Sequence, residues 1–328
     1  NAQLVKTNLS KDQEEALRRF VELYQKADLT FDLPRCHALL RIFDERSALL
    51  SGAVKETVNR RRFRLDARSQ WADEYYGTAL YFERAQTSGL LGDLLSAAQR
   101  WILHIFAPGG TGKTMYIRHL IARRCVRGQI PVAYVDFDYV LMPDMAVVQP
   151  WRMLVSLIDQ INIQIAGRPF GELLAAYARF QHPTDARDIV RLRTPQTVAQ
   201  EEAARLRDEL ILRFANILGE TRGEKPVVFI FDTLENLRQR RLDLTETFAL
   251  LRDLLARCPG LRVVLSGRYN LEHGNPGEAD DQNNAFLAMF GDQQNTVRLE
   301  AFTADEARAY LAQSRQITGA DLVAAILS

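Results

Sequence analysis

The chain reads as an α/β protein built on a parallel sheet, and three features of the sequence say so. Short, nearly continuous apolar runs recur at 101–106, 131–138, 226–231, 261–268 and 296–300. Runs of this kind fit strands buried on both faces. Stretches of helical period separate them, so each strand is reached by a crossover and neighbouring strands run parallel. A glycine-rich turn, "APGGTGKT" at 107–114, joins the first run to the helix after it.

The region before the first strand is helical in pattern. In "LSKDQEEALRRFVELYQKA", Ser10 stands as an N-cap with Gln13 three residues on, the spacing of a capping box. Leu17, Phe20, Val21, Leu23 and Tyr24 then recur near helical period. Leu39–Leu50 suggests another helix, and no strand signal precedes Trp101. Residues 1–80 are therefore set apart as a helical N-terminal region. Residues 81–300 are expected to form the sheet domain, and 301–328 to begin a further helical element.

Helices fill the gaps between strands. One follows the glycine turn, from Thr114 to about Arg124. A helix-rich stretch covers roughly 149–219. Its last helix takes Thr194 as N-cap and Pro195 at the first helical position, and Gly219 is expected just past its end. Ala203, Leu206, Leu210, Phe214 and Ile217 share its apolar face. A further helix around 244–257 leads into the fourth strand.

Bulk composition narrows the class. Of 328 residues, 47% are hydrophobic and 25% charged, which calls for a packed core rather than disorder. A net charge of +1 supplies no overall field toward nucleic acid or membrane. Cys36, Cys125 and Cys258 are far apart, so buried, reduced thiols in the cytoplasm are expected rather than disulfides or zinc. No apolar run is long enough for a membrane span. The chain opens on Asn1 and ends inside "ADLVAAILS", which suggests a fragment of something longer.

The turn carries the chemistry. It has the [A/G]xxxxGK[S/T] form of a phosphate-binding loop. Its backbone N–H groups turn inward, and the following helix points its positive end at the same spot. Glycines permit backbone angles that other residues resist. Lys113 is placed to hold the β- and γ-phosphates, and the Thr114 hydroxyl to reach Mg²⁺. The nucleotide-contacting stretch is Ala107, Pro108, Gly109, Gly110, Thr111, Gly112, Lys113, Thr114 and Met115. The ligands implied are ATP or ADP with Mg²⁺.

Magnesium also needs a carboxylate at a neighbouring strand tip. "VVFIFDTLEN" supplies Asp232 there. Glu235, three residues on, is the candidate for orienting or deprotonating water, with a surface carboxylate as the alternative. Arg268 ends the fourth strand, on the rim where open α/β sheets bind ligands. It is a candidate for sensing the γ-phosphate, with an interface contact or a solvent-facing arginine as the alternatives.

The set "APGGTGKT", "VVFIFDTLEN", "GLRVVLSGR" and "VRLEAFTADEARAYL" resembles the STAND class of signal-transduction ATPases, relatives of AAA+ proteins. "YFER" at 81–84 is similar to that class's lead-in, which would set Arg84 near the nucleotide base. The resemblance covers about residues 80–328. It implies a P-loop NTPase fold with five parallel strands, the strand ending at Arg268 lying between the loop strand and the Asp232 strand. It also implies a helical lid beginning at Thr303–Ser314, and a sensor beyond Ser328 that receives an unknown signal or protein ligand. Many AAA+ relatives place Glu directly after the Mg²⁺ Asp, whereas Thr233 stands here. Slow hydrolysis suits that departure.

Two functions follow. One is an ATP-binding, slowly hydrolysing regulatory switch that couples nucleotide state to homo-oligomerisation of an N-terminal effector. The alternative is an AAA+ loader or remodeller acting on DNA. The arginine-rich run "NRRRFRLDAR" (59–68) bears on the second, with a solvated helix face as the alternative. "RQRR" (238–241) is a candidate for supplying an arginine to a neighbour's nucleotide in an oligomer, with a plain surface run as the alternative. A small-molecule kinase would share only the loop. An ABC-type ATPase would need an LSGGQ signature before the Asp232 strand, where none stands.

Overall fold

A computed structural model describes residues 9–25, 32–41, 43, 55–56, 58–62, 65, 81–96, 101–138, 150–181, 196–221, 225–239, 244–271, 281–291 and 294–327. These fall into two compact units. One takes its residues from 1–84, 114–130 and 301–328, the other from 85–113 and 131–300.

The helices in chain order begin with α1 (Lys11–Tyr24), α2 (Leu33–Arg41), α3 (Leu90–Ser96) and α4 (Lys113–His119). Then come α5 (Pro150–Asn162), α6 (Gly171–Gln181), α7 (Gln196–Thr221) and α8 (Glu235–Gln239). The last are α9 (Thr245–Arg257), α10 (Asp281–Phe290), α11 (Ala304–Arg315) and α12 (Ala320–Leu327).

The larger unit holds the sheet. Its strands are β1 (Ile102–Phe106), β2 (Val132–Asp136), β3 (Val227–Asp232), β4 (Leu261–Gly267) and β5 (Gln294–Arg298). They lie in the order β2-β3-β4-β1-β5, and every pair is parallel. The expected insertion of the Arg268 strand between the other two is what the sheet shows. β5 begins two positions before the expected 296, at Gln294. Every residue of β3 and β4 is buried, as fits their mostly apolar runs in the middle of the sheet.

Aromatic side chains fill the space beside the sheet. Phe170 stacks on Phe214, which meets Phe229, and Phe248, Phe286 and Phe290 form a second group. Leu210 and Phe214 of α7 are buried and Leu206 and Ile217 partly so, the expected face. α7 runs through Gly219 to Thr221 rather than stopping before it. The expected cap at Thr194 and Pro195 lies outside the described residues.

β2 is an edge strand, and α5 closes that edge. Gln160 exchanges two hydrogen bonds with the Tyr134 backbone at 3.0 and 3.1 Å. Gln164 does the same for Val132 at 3.0 and 2.7 Å. Backbone groups that would otherwise offer a template to another chain are thus occupied.

In the smaller unit, α1 carries the capping box expected at Ser10 and Gln13 and buries Leu17 and Phe20. α2 covers Leu33–Arg41, earlier than the expected Leu39–Leu50, of which 44–50 lie outside the described residues. α4 continues as a π-helical stretch, Leu120–Val126. Thr303 caps α11 with Glu306 completing a capping box. Cys36, Cys125 and Cys258 are all buried. Among the described residues no helix is long and apolar enough to cross a membrane.

His104 is fully buried in β1, its ring 5.5 Å from Phe286 and 5.6 Å from Phe106. Burial pushes its imidazole from an ordinary 6.5 to about 3. The folded value is depressed, so the unfolded chain takes up the proton first. The stability tied to a neutral His104 is complete above about pH 6.5 and drains as pH falls toward about 3. The expected slope is up to about 1.4 kcal/mol per pH unit. Urea titrations of His104→Leu between pH 7 and pH 4 should show a shallower acid slope than the parent. An identical slope would show that His104 does not govern it.

Candidate functional site

The phosphate-binding loop leaves β1 at Phe106 and ends at Lys113. Ala107 is fully buried, so the small first residue fits a closed space. Its N–H donates to the Gly267 carbonyl at 3.1 Å, which ties the loop to the tip of β4. Gly110 and Gly112 adopt φ of 83° and 101°, angles that a side chain would strain. Thr111 Oγ1 donates to the Pro108 carbonyl at 2.9 Å and closes the turn.

Lys113 folds back over this loop. Its Nζ donates to the carbonyls of Ala107 at 2.7 Å and Pro108 at 3.0 Å. Burial pushes its ammonium down, Glu235 and Asp232 hold it up, and Arg268 adds to the lowering. Lys113, Asp232, Glu235 and Arg268 therefore share one electrostatic neighbourhood.

Asp232 ends β3 and is buried. Its carboxylate accepts from Tyr134 Oη at 3.2 Å and from the Thr233 N–H at 2.9 Å. Burial pushes its carboxyl up, and the nearby Asp136 adds to that. A buried carboxylate held at this cost is relieved by a cation, so Asp232 fits a divalent ion.

Glu235 opens α8 and is also buried. Its two oxygens are both engaged by Arg268, Oε1 by Nε at 2.9 Å and Oε2 by the backbone N–H at 3.1 Å. The Arg268 side chain is 54% exposed, so this pair opens at one end to solvent. The same guanidinium reaches the loop, since a Cβ built on Gly109 would lie 3.8 Å from it. Arg268 thus stands beside the phosphate loop while it bonds the candidate base.

Gly267 makes this possible. A Cβ there would stand 3.2 Å from Leu234 Cβ and 3.4 Å from Glu235 Oε2. The turn after β3 lies so close to the end of β4 that a Cβ at Gly267 would require it to give by a few tenths of an ångström. That turn is fixed by the Leu234 N–H, which donates to the Ser266 carbonyl at 3.1 Å.

Arg84 lies in the smaller unit and is buried, its guanidinium 4.3 Å from the centre of the Phe302 ring. Phe82 and Tyr310 pack edge-on and stacked around that same ring. Burial pushes Arg84 down, partly offset by Glu306 and Tyr81. Thr114 is exposed and Met115 half-buried at the start of α4. Of the run 59–68, Arg60 pairs with Glu56, Arg61 lies over the Phe20 ring and Arg62 donates to the Leu40 carbonyl. The side chains of "RQRR" lie outside the described residues.

Three participants were not singled out from sequence: Asp136, Tyr134 and Gly267. Asp136 left a signal, because it ends the second apolar run as Asp232 ends the third. In the sheet the two residues stand in register on adjacent strands.

Gly267→Ala is expected to lower stability by about 1–3 kcal/mol, because the turn holding Leu234 and Glu235 must move aside. A urea titration measures it. An unchanged midpoint would show that the turn yields freely and that Gly267 is not needed for the close approach.

Among curated proteins, none matches the chain. Similar solved structures include DnaA from Aquifex aeolicus bound to AMPPCP, at 11% identity over 75% of this chain and 57% of that one, with a TM-score of 0.38. Drosophila ORC bound to DNA is similar at 15% identity over 76% of this chain and 50% of that one, with a TM-score of 0.43. A Walker-type ATPase of Pyrococcus abyssi is similar at 15% identity over 75% of this chain and 63% of that one, with a TM-score of 0.38. This chain spans between 50% and 63% of their lengths, and likenesses this loose carry no function across. A family model described as an AAA domain matches residues 97–273, more than half of the chain. With its phosphate loop, strand-end Asp232 and inserted β4, the chain belongs to the AAA domain family and has a P-loop NTPase fold.

Proposed function

We propose that this ATPase is a slow regulatory switch of the STAND kind, with bound ATP and bound ADP as its two states. Residues 107–113 take the phosphates, and Lys113 exchanges its loop carbonyls for phosphate oxygens. Asp232 and the Thr114 hydroxyl hold magnesium, which neutralises phosphate charge when bound. Glu235 orients the attacking water, and Arg268 reads the γ-phosphate. Arg84 serves the base side of the nucleotide. ATP favours assembly with further copies, and a sensing partner releases the switch.

The observation that carries this reading is the double engagement of Arg268. It lies against the phosphate loop at Gly109 and also occupies both oxygens of Glu235. A γ-phosphate competes with Glu235 for that guanidinium. Drawing Arg268 away frees Glu235, so one contact distinguishes ATP from ADP and couples it to the base. While the pair is closed, Glu235 is unavailable, which keeps turnover slow.

A second reading is the loader or remodeller acting on DNA. Replication initiator DnaA bound to single-stranded DNA and Drosophila ORC bound to DNA stand among the solved structures similar to this chain. Inside this chain, Arg60, Arg61 and Arg62 are already engaged by their own unit.

One experiment separates them. Glu235→Gln is expected to keep Mg-ATP bound while slowing hydrolysis about 100-fold or more, the range for a lost general base. Parent-rate turnover would reduce Glu235 to a structural carboxylate. Adding duplex or single-stranded DNA to the parent should leave its slow rate unchanged. Salt-dependent stimulation by DNA would overturn the switch in favour of the second reading.

A further inference from the structure

The segment carrying Asp232 and Glu235 turns on Thr233, whose φ is 63°. A β-branched residue is strained in that left-handed region and persists there only when its surroundings hold it. One side-chain bond does so: Thr233 Oγ1 donates to Asp136 Oδ1 at 2.7 Å. Asp136 is itself fixed, its Oδ1 accepting the Asp138 N–H at 3.0 Å. The two strand tips are joined further by the Phe137 N–H on the Asp232 carbonyl at 3.1 Å. Asn236 Nδ2 closes the far side, donating to the Phe137 carbonyl at 3.3 Å and to the Asp138 carboxylate.

The turn has consequences on both sides. The Thr233 N–H holds Asp232 Oδ1 at 2.9 Å, so a rotation at Thr233 turns that carboxylate. Glu235 follows two residues later and must land against the Arg268 N–H. A relaxed Thr233 would swing both carboxylates together.

We propose that Asp136 is a positioning residue for ATP hydrolysis. It holds Thr233 in its left-handed conformation, and through that turn it aims Asp232 and Glu235. This rests on the roles given to Asp232 and Glu235 above.

Steady-state hydrolysis and calorimetric Mg-ATP binding of the intact chain test it, with Lys113→Ala as the control for activity from this site. Asp136→Ala should lower kcat about tenfold or more, with a smaller change in nucleotide affinity, as for a misaimed catalytic group. Asp136→Asn retains an acceptor oxygen for the Thr233 hydroxyl and should recover most of the rate. The decisive variant is Asp136→Ala combined with Thr233→Gly. Glycine adopts φ near 63° without strain, so the double variant should be faster than Asp136→Ala alone. A merely structural Asp136 would show no such rescue.

Parent activity in Asp136→Ala, or a double variant no faster than it, overturns the proposal. Should Asp136→Ala fail to fold, Thr233→Val decides: it keeps Asp136 and the β-branch and replaces only the hydroxyl, and parent-rate turnover overturns the proposal. A parent chain that neither binds nor hydrolyses Mg-ATP removes the underlying roles, a failure visible before any variant is compared.

Discussion

The placement of β4 between β1 and β3 is the constraint from which the site follows. Parallel neighbours stand about 4.8 Å apart, so a strand inserted between the phosphate loop and Asp232 separates them by about 10 Å. Its tip then serves both sides. The Gly267 carbonyl holds the start of the loop through the Ala107 N–H, and the Ser266 carbonyl holds the turn after β3 through the Leu234 N–H. Arg268, the next residue, lies against the loop and against Glu235 together. No other strand order would let one arginine do so.

The electrostatics follow from that geometry. Two cations and two carboxylates share one end of the sheet, and none is placed without a counter-charge nearby. Lys113 feels both carboxylates, and Glu235 is buried with Arg268 as its partner. Asp232 is buried and its carboxyl is pushed up by desolvation, the property expected of a group that meets a metal. A bound triphosphate would redistribute these pairs rather than enter an empty field. That redistribution is a physical basis for a two-state protein, because only a contact that differs between ATP and ADP shifts the equilibrium.

Much of this was legible in the sequence because the signals are local. Strands β1 to β4 are continuous apolar runs, and the loop's glycines, Lys113 and Asp232 sit at fixed offsets from them. The cap at Ser10 depends on a residue only three positions away. What stayed hidden depends on register between distant segments. Asp136 meets Thr233 only because β2 and β3 align residue for residue, and nothing within either strand states that alignment. Gly267 reads as an ordinary turn residue until Leu234 is seen against it. Gln160 and Gln164 look like surface glutamines but close the edge of β2. Gly219 suggested a helix end, yet α7 passes through it, its buried Phe214 and Leu218 outweighing one weak residue.

The most direct measurement is a crystal structure of the chain with magnesium and a non-hydrolysable ATP analogue, beside one with ADP. With the analogue, Arg268 Nε should leave Glu235 Oε1, which it meets at 2.9 Å here, and bond the γ-phosphate, while the ADP form keeps the pair closed. An analogue-bound structure in which Arg268 still holds Glu235 and stands clear of the phosphate would contradict the proposed coupling.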